Sequence, residues 1–316
     1  MNIGKFSINS ERKVVEIQSH PKLLDEIKNC QDTNNSQPFP FTYLRSDFNL
    51  FTGYEKCIKK YDYRKSDQTY PDNLSTLLEF LQTTDIKTEV YDFITWRGIM
   101  TRFMGFTTDQ DDEILTLGAR KCKSSILLFQ LPSSSPQKVF PEYVEKIFYS
   151  GRAFETYCSG QNPETTPVNE NEENCHVFAS KVKNGDKSIS LLFGAEMDGL
   201  DYELKTTAEL KHGKQVQNLL MKTQRWWSQS YLSGVEKIFC GYRDRRGRCR
   251  KVSKINVRDL PKTACQYWSW QRSIDDLFTI LYAIQSLVKS ILEPSETLVL
   301  TIDRHFKIMV RFAYLT

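Results

Sequence analysis

Three carboxylates and an amine lie close together in Leu191–Thr207, LLFGAEMDGLDYELKTT. Two β-prone runs flank Gly199-Leu200-Asp201, so the stretch reads as a hairpin with a tight turn there. Side chains alternate along a strand, which places Glu196 and Asp198 on one face, and Glu203 and Lys205 on one face of the next strand. Crowded carboxylates repel one another unless a cation sits among them. Oxygen ligands at strand ends suit Mg²⁺ or Mn²⁺. A lysine beside such an ion is suited to holding or activating a water, or to neutralising phosphate charge. The pattern therefore predicts a metal-dependent phosphodiester-cleaving centre. Without a metal the same stretch is an exposed hairpin with a solvated charged face, since acidic residues two apart are common.

Those side chains need a frame. Val177–Lys183 and Ser188–Phe193 read as strands around Asn184-Gly185, a strong hairpin signal. The strand carrying Glu196 is then expected to be central, flanked by its sequence neighbours. Tyr91–Thr95 is β-prone, and Ile99, Met100 and Phe103 recur at helical spacing beyond it. Arg97 stands where strand gives way to helix. A guanidinium there opposes the helix dipole, which favours either an anion shared with the free N–H groups or an ordinary ion pair with a carboxylate. Pro141–Ser150 leads into Gly151-Arg152-Ala153-Phe154-Glu155, a helix able to carry Glu155 towards the acidic pair. His212–Tyr231 reads as a long helix with Gln229 near its end and Gly234 closing it. The Gln229 amide can bind a phosphate or nucleotide, or face solvent.

Residues 1–30 read as a strand, a turn and a short helix beginning at Pro21. Gln31–Pro40 and Ser133–Gln137 are loops by composition, and the aromatic-rich Phe41–Tyr63 reads as packing for the sheets ahead of a base-stacking platform. Asn73–Gln82 is an amphipathic helix. Glu113–Leu131 reads as two strands turning at Gly118–Lys121, and the polar, acidic Gly160–Asn174 as an exposed, mobile loop. Glu236–Val257 is a hairpin whose tip crowds Arg243, Arg245, Arg246, Arg248, Arg250, Lys251 and Lys254. Such a tip suits a phosphate backbone, an acidic partner or plain solvent. Trp268–Glu293 supplies core helix, and Thr297–Tyr314 two strands around Asp303-Arg304-His305.

A net charge of +4 is too small to identify a polyanion ligand by itself. With 40% hydrophobic and 26% charged residues the balance is that of a globular protein, expected to form a single domain over 1–316 with its active core about 91–234. The start, MNIGKFSINS, has no apolar run of signal-peptide length, and Ile274–Leu292 carries charges at helical spacing, so no membrane association is expected. Eight cysteines without a CxxC pair exclude finger-type zinc, and Cys175-His176 stands alone. Reduced thiols and an intracellular location, cytoplasm or nucleus, follow as expectations.

Five short pieces then fall in a known order: TWRG with Arg97, GRAFE with Glu155, EMD with Glu196 and Asp198, ELK with Glu203 and Lys205, and WSQSYLSGV with Gln229. Together they resemble the DXO family of RNA 5′-end decapping enzymes and exoribonucleases, fungal members included. The resemblance implies an α/β fold with two mixed β-sheets surrounded by helices, and a site similar to that of metal-dependent nucleases with a D…ExK signature. It implies one or two Mg²⁺ or Mn²⁺ ions, with Asp198, Glu203 and the backbone carbonyl of Leu204 as direct ligands. Glu196 and Glu155 would bind metal directly or through water, Glu155 also meeting substrate. Lys205 and Gln229 would position the water or the scissile phosphate, and Arg97 would hold a phosphate near the RNA 5′ end.

The usual second motif of that family reads more like GYKFE, so Arg152 and Ala153 are departures that bear on pocket detail. The implied reaction is hydrolysis at the RNA 5′ end, one ion lowering the pKa of a bound water and a second stabilising the leaving oxygen. Its outcomes would be release of incomplete or unmethylated caps, removal of NAD caps, and 5′→3′ degradation of monophosphate RNA, with pyrophosphate release from triphosphate ends in some members. Two other readings stand beside it: a D…ExK nuclease acting on DNA, and a non-catalytic partner that stabilises a larger 5′→3′ exoribonuclease.

Overall fold

The computed structural model describes residues 1–17, 19–20, 22–30, 39–59, 74–105, 115–131, 140–208, 214–291, 296–303 and 308–313. Within them the chain begins with β1 (Asn2–Ile8), β2 (Val14–Val15), α1 (Asp25–Lys28), β3 (Thr42–Asn49) and α2 (Ser75–Gln82). It continues with β4 (Phe93–Trp96), α3 (Arg97–Gly105), β5 (Leu115–Cys122), β6 (Ser125–Gln130), α4 (Glu142–Cys158), β7 (Glu173–Asn184) and β8 (Lys187–Glu196). Then come β9 (Tyr202–Ala208), α5 (Lys214–Ser233), β10 (Lys237–Arg243), β11 (Arg248–Asn256), α6 (Leu260–Thr263), α7 (Trp270–Ile291), β12 (Thr297–Ile302) and β13 (Ile308–Ala313). The loops expected at 31–38 and 133–137, Pro21, and the turn residues 304–305 lie outside the described residues.

Two mixed sheets form, as the resemblance implied. The larger has the order β13-β12-β5-β6-β4-β8-β7-β1-β2, and the smaller β3-β11-β10-β9. β4 runs parallel to both β6 and β8, and β9 parallel to β10; the other pairs are antiparallel. β8 is central, but its neighbours are β7 and the distant β4, not two sequence neighbours. Its run Leu191-Leu192-Phe193 is buried on both faces. Leu191 and Phe193 join the core under α3, α5 and α7, while Leu192 joins the one shared with α2. That is why this strand reads as a continuous apolar run and not as an alternation.

The expected hairpin at Gly199-Leu200-Asp201 does not form. β8 ends in the large sheet and β9 starts the small one, so the stretch is a crossing between sheets. β9 finds its partner instead in β10, with Glu203 opposite Ile238 and Lys205 opposite Cys240. Parallel strands need a long crossover, and α5 provides it; Gly234, at φ 69°, ends the helix in the left-handed region.

Other boundaries shift. The β5–β6 turn sits at Lys123-Ser124 and not at Gly118–Lys121, because Gly118 pairs with Phe129 inside the ladder. The stretch expected to be a mobile loop is pinned: Val168 is buried, Ile58 and Asn169 form a bridge, and Glu173-Asn174 begin β7. At the basic hairpin Arg243 is buried and faces no solvent. The stretch expected to supply core helix is one helix, α7, and among the described residues no helix is long and apolar enough to cross a membrane.

α4 reaches the small sheet through Phe154, which packs over Gly241 of β10. A Cβ at 241 would stand 2.6 Å from the Phe154 ring. Gly241→Ala should therefore lift the helix that carries Glu155, costing about 1–3 kcal/mol of stability. A denaturant titration checks this; an unchanged midpoint would show that α4 docks by other contacts.

Candidate active site

The ends of β8 and β9 bring the acidic residues together from two different sheets. Glu196 closes β8, Asp198 follows it, and Glu203 and Lys205 alternate along β9 around Leu204. Leu204 packs towards α4, so Glu203 and Lys205 face the other way. One hydrogen bond locks the crossing: the Leu204 N–H donates to Asp198 Oδ2 at 2.7 Å.

Arg97, the first residue of α3, is 4% exposed, and Glu203 is 1% exposed. Arg97 Nη1 donates to Glu203 Oε1 at 2.7 Å and to Ser233 Oγ at 2.6 Å; Nη2 donates to the Glu196 carbonyl at 2.6 Å. The guanidinium thus ties together the end of β8, the middle of β9 and the end of α5. Of the two roles open to it in the sequence, the contacts are those of the carboxylate pair. Lys205 Nζ lies 2.5 Å from Glu203 Oε2, so the second oxygen of the same carboxylate is ion-paired as well.

Burial alone would raise the Glu203 carboxyl, but Lys205 and Arg97 outweigh it and hold it below its ordinary value. Glu203 and Asp198 in turn raise the Lys205 ammonium against the desolvation of its site. Lys205 is therefore a cation at neutral pH, suited to phosphate or water positioning and not to proton abstraction. Burial raises the Asp198 carboxyl, and the Glu203 and Glu196 charges add to it.

Beside Asp198 opens a cleft of about 260 Å³, lined among others by Arg152, Glu155, Glu196, Tyr202 and Leu204. Glu155 keeps 30% of its side-chain surface and lines this cleft. Desolvation there, with Asp198 and Glu196 nearby, pushes its carboxyl up to about 8 against the opposing Arg152 and Lys205 charges. Gln229 is half-buried in an adjoining cleft of about 390 Å³ with Arg97, Arg102 and Arg225, and Glu196 lines both spaces. The Gln229 backbone carbonyl accepts from Arg97 at 3.4 Å and from Ser233 at 2.9 Å.

Arg152, noted in the sequence only as a departure from the motif, takes a place among the carboxylates. Its Nη1 donates to Glu196 Oε1 at 2.5 Å and to Glu155 Oε2 at 3.2 Å. The signal was its place three residues before Glu155 on a helix, the spacing of an i,i+3 pair. The donor types fit a hard divalent ion: the carboxylate oxygens of Glu155, Glu196, Asp198 and Glu203, and backbone carbonyls. Yet no three acidic, histidine or cysteine side chains converge on one point among the described residues. Arg152 lies between two of the carboxylates, and Lys205 beside a third. All eight cysteines are free, and His176 contacts Asn2 and His20 instead of a metal-ligand set.

Comparison with known proteins gives consistent matches. Over 275 residues the chain is 28% identical to a protein of Yarrowia lipolytica named decapping nuclease RAI1, covering 78% of this chain and 76% of that one. It is 29% identical over 191 residues to the Xenopus laevis decapping and exoribonuclease protein, covering 54% of this chain but only 46% of that relative. The match to the Aspergillus fumigatus decapping nuclease RAI1 spans 63% of that relative. Rai1 of Scheffersomyces stipitis superposes with a TM-score of 0.71 at 18% identity, over 99% of this chain and 90% of that one. Candida albicans Rai1, solved in complex with pU5-Mn²⁺, gives 0.70 at 16%, over 99% and 89%. The family described as RAI1 like PD-(D/E)XK nuclease matches residues 1–315. Asp198, Glu203 and Lys205 stand in this sequence in the order of a D…ExK pattern, and the chain belongs to that family.

Proposed function

We propose that the chain is a metal-dependent hydrolase of RNA 5′ ends, removing incomplete, unmethylated or NAD caps and degrading the exposed RNA 5′→3′. The observation that carries this reading is that Asp198, tied to β9 next to the Glu203–Lys205 pair, lines a cleft together with Glu155 and Glu196. Relatives named for decapping and exoribonuclease activity, and a neighbour holding a 5′-phosphorylated uridine oligonucleotide with Mn²⁺, support RNA as the substrate class.

Asp198, Glu203, the Leu204 carbonyl, Glu196 and Glu155 would hold Mg²⁺ or Mn²⁺, which when bound supplies an acidified water and neutralises phosphate charge. Lys205, kept protonated by Glu203 and Asp198, places a positive charge for the scissile phosphate. Arg97 fixes Glu203 in its orientation, which makes it a positioning residue. Gln229, with Arg102 and Arg225 in the adjoining cleft, would take the neighbouring nucleotide by hydrogen bonds and charge.

The test is a set of RNAs differing only at the 5′ end: capped, unmethylated-capped, NAD-capped, triphosphate and monophosphate. Products are resolved with Mn²⁺ and with EDTA. Mn²⁺-dependent release of a cap-containing product or of 5′ nucleotides is expected. Preferential cleavage of DNA, or cleavage undiminished by EDTA, would overturn the reading.

pH gives a second expectation. Glu155 titrates at about 8 in the folded chain, above its ordinary 4.5. The folded state then binds more protons across that interval, so metal-free stability should fall as pH rises from about 4.5 to 8. An ion bound at Glu155 must displace the same proton. Mn²⁺ affinity should therefore strengthen over pH 6–8, with protons released to buffer in calorimetry. A flat profile would take Glu155 out of the ligand set.

A further inference from the structure

The aromatic stretch at the start of β3 and the basic tip of the β10–β11 hairpin, far apart in sequence, meet on one edge of the small sheet. β3 pairs with β11, with Tyr43 opposite Lys251 and Asn49 opposite Arg248. Leu44 and Phe48 turn into the core beside α4, so Tyr43, Arg45 and Asp47, which alternate with them, turn outward. The ladder shifts register between Cys249 and Lys251. Such a bulge re-aims side chains, and here it sends both Arg250 and Lys251 to the outer face. Arg250 Nε lies 2.8 Å from Asp47 Oδ2. Lys251 Nζ lies 4.6 Å from the Phe41 ring centroid and 5.3 Å from that of Tyr43.

Phe48 packs as the sequence suggests, but Phe41 and Tyr43 stay 44% and 66% exposed. Arg245, Arg246 and Arg248 are exposed too, and none of them forms an ion pair among the described residues. The neighbouring carboxylates are engaged elsewhere. Asp47 pairs with Arg250, Asp244 Oδ1 accepts the Arg246 and Arg248 N–H groups within the turn, and Glu26 Oε2 accepts the Arg45 N–H. Charge by itself would guard an exposed edge strand. Two exposed rings sharing a lysine do not serve that end. With the guanidinium groups beside them they offer flat faces for bases and cations for phosphates, the combination that single-stranded nucleic acid takes. An acidic protein would use the cations and leave the rings wet.

The patch shares its face of the sheet with Glu203 and Lys205, which also turn away from the α4 core. Tyr43, Lys251, Tyr242 and Thr207 form one row across β3, β11, β10 and β9. Tyr43 therefore stands about 14 Å from Thr207 by strand spacing, and Thr207 about 13 Å beyond Glu203 by strand rise. The patch is then on the order of 20 Å from Glu203, out of reach of the first linkage. We propose that Phe41, Tyr43 and Lys251, with the Arg245–Arg248 tip, are a second contact for single-stranded RNA, holding the strand several nucleotides downstream of the end that is cut. This rests on the RNA reading of the cleft and deepens it: the patch gives the enzyme a preference for longer RNA without a preference for sequence.

The test compares two 5′-monophosphate oligouridines labelled at the 3′ end. One is about 20 nucleotides long; the other is a trimer, too short at about 3.4 Å per stacked nucleotide to reach the patch from the cleft. Affinity for the longer RNA is read by fluorescence anisotropy in EDTA, and the trimer by its Mn²⁺-dependent single-turnover cleavage. Tyr43→Ser should weaken binding of the longer RNA about tenfold. Arg245→Gln with Arg246→Gln and Arg248→Gln should flatten the slope of log affinity against log salt by about 2. Trimer cleavage should be unchanged in both. The two variants are independent, and circular dichroism selects folded preparations, so either one decides if the other misfolds. Unchanged affinity for the longer RNA, or an equal loss on the trimer, would overturn the proposal. Displacement of the longer RNA from wild type by an oligoglutamate of the same charge, as readily as by unlabelled RNA, would overturn it too and mark the patch as a site for an acidic protein. Each of these leaves the cleavage reading standing, whereas no Mn²⁺-dependent cleavage of either RNA by wild type would bring down that reading itself.

Discussion

Asp198→Asn is expected to lower Mn²⁺-dependent RNA cleavage by at least about 10²–10³-fold, the scale of removing one group that acts on transition-state charge, while the fold persists. The separation of the two effects follows from the two oxygens of this side chain. Oδ2 accepts the Leu204 N–H at 2.7 Å and so locks the crossing from β8 to β9. An asparagine keeps a carbonyl oxygen for that bond. What it loses is the charge and the second acceptor, which is replaced by a donor that repels a cation. Replacing Asp198 and Glu203 together by alanine is a poorer experiment, because Glu203 is the partner of a buried arginine and its removal threatens the fold. Single-turnover cleavage of a monophosphate RNA, with Mn²⁺ saturation measured separately, reads the effect. Full activity in the Asn variant would remove Asp198 from the chemistry.

The acidic residues stood out as candidates because three carboxylates and an amine fall within ten positions, although acidic residues two apart are common. The frame itself was only partly legible. Asn184-Gly185 correctly announced the β7–β8 turn, since a left-handed glycine beside asparagine satisfies a local geometric demand. Gly199-Leu200-Asp201 sent the opposite message from nearly the same chemistry. There the partner of β9 is decided by α5 and β10, more than thirty residues downstream at Lys237 opposite Tyr202, and no local turn preference reports that pairing. The same holds for Arg97. Its place at the start of α3 was readable, but which acidic group would meet its guanidinium depended on two sheets converging. Arg152 was visible only as a departure from a motif, and its bridge between α4 and β8 needed the helix to be docked by Phe154 over Gly241.

Arg97→Leu should destabilise the metal-free protein by about 3–5 kcal/mol, the cost of breaking a buried ion pair from one side. The penalty comes less from the lost attraction than from what remains: Glu203, 1% exposed, with one oxygen deprived of its donor and only Lys205 as counter-charge. Two controls isolate that cause. In Arg97→Leu with Glu203→Leu both charges are gone, and stability should recover a substantial part of the loss, because well-packed apolar replacements of a buried pair are often close to neutral. The second control is acid. Glu203 is held below its ordinary value by Lys205 and Arg97 in the native chain. Its contribution is therefore present above the unfolded value of about 4.5 and disappears as pH falls through the folded one. The gap between wild type and Arg97→Leu should shrink on acidification through that range, and salt should change it little, since the pair is out of reach of screening ions. A gap of under about 1 kcal/mol at neutral pH, the value of an exposed pair, would mean that β8, β9 and α5 are held at the site by their hydrophobic contacts alone, and Arg97 would be free to serve a phosphate after all.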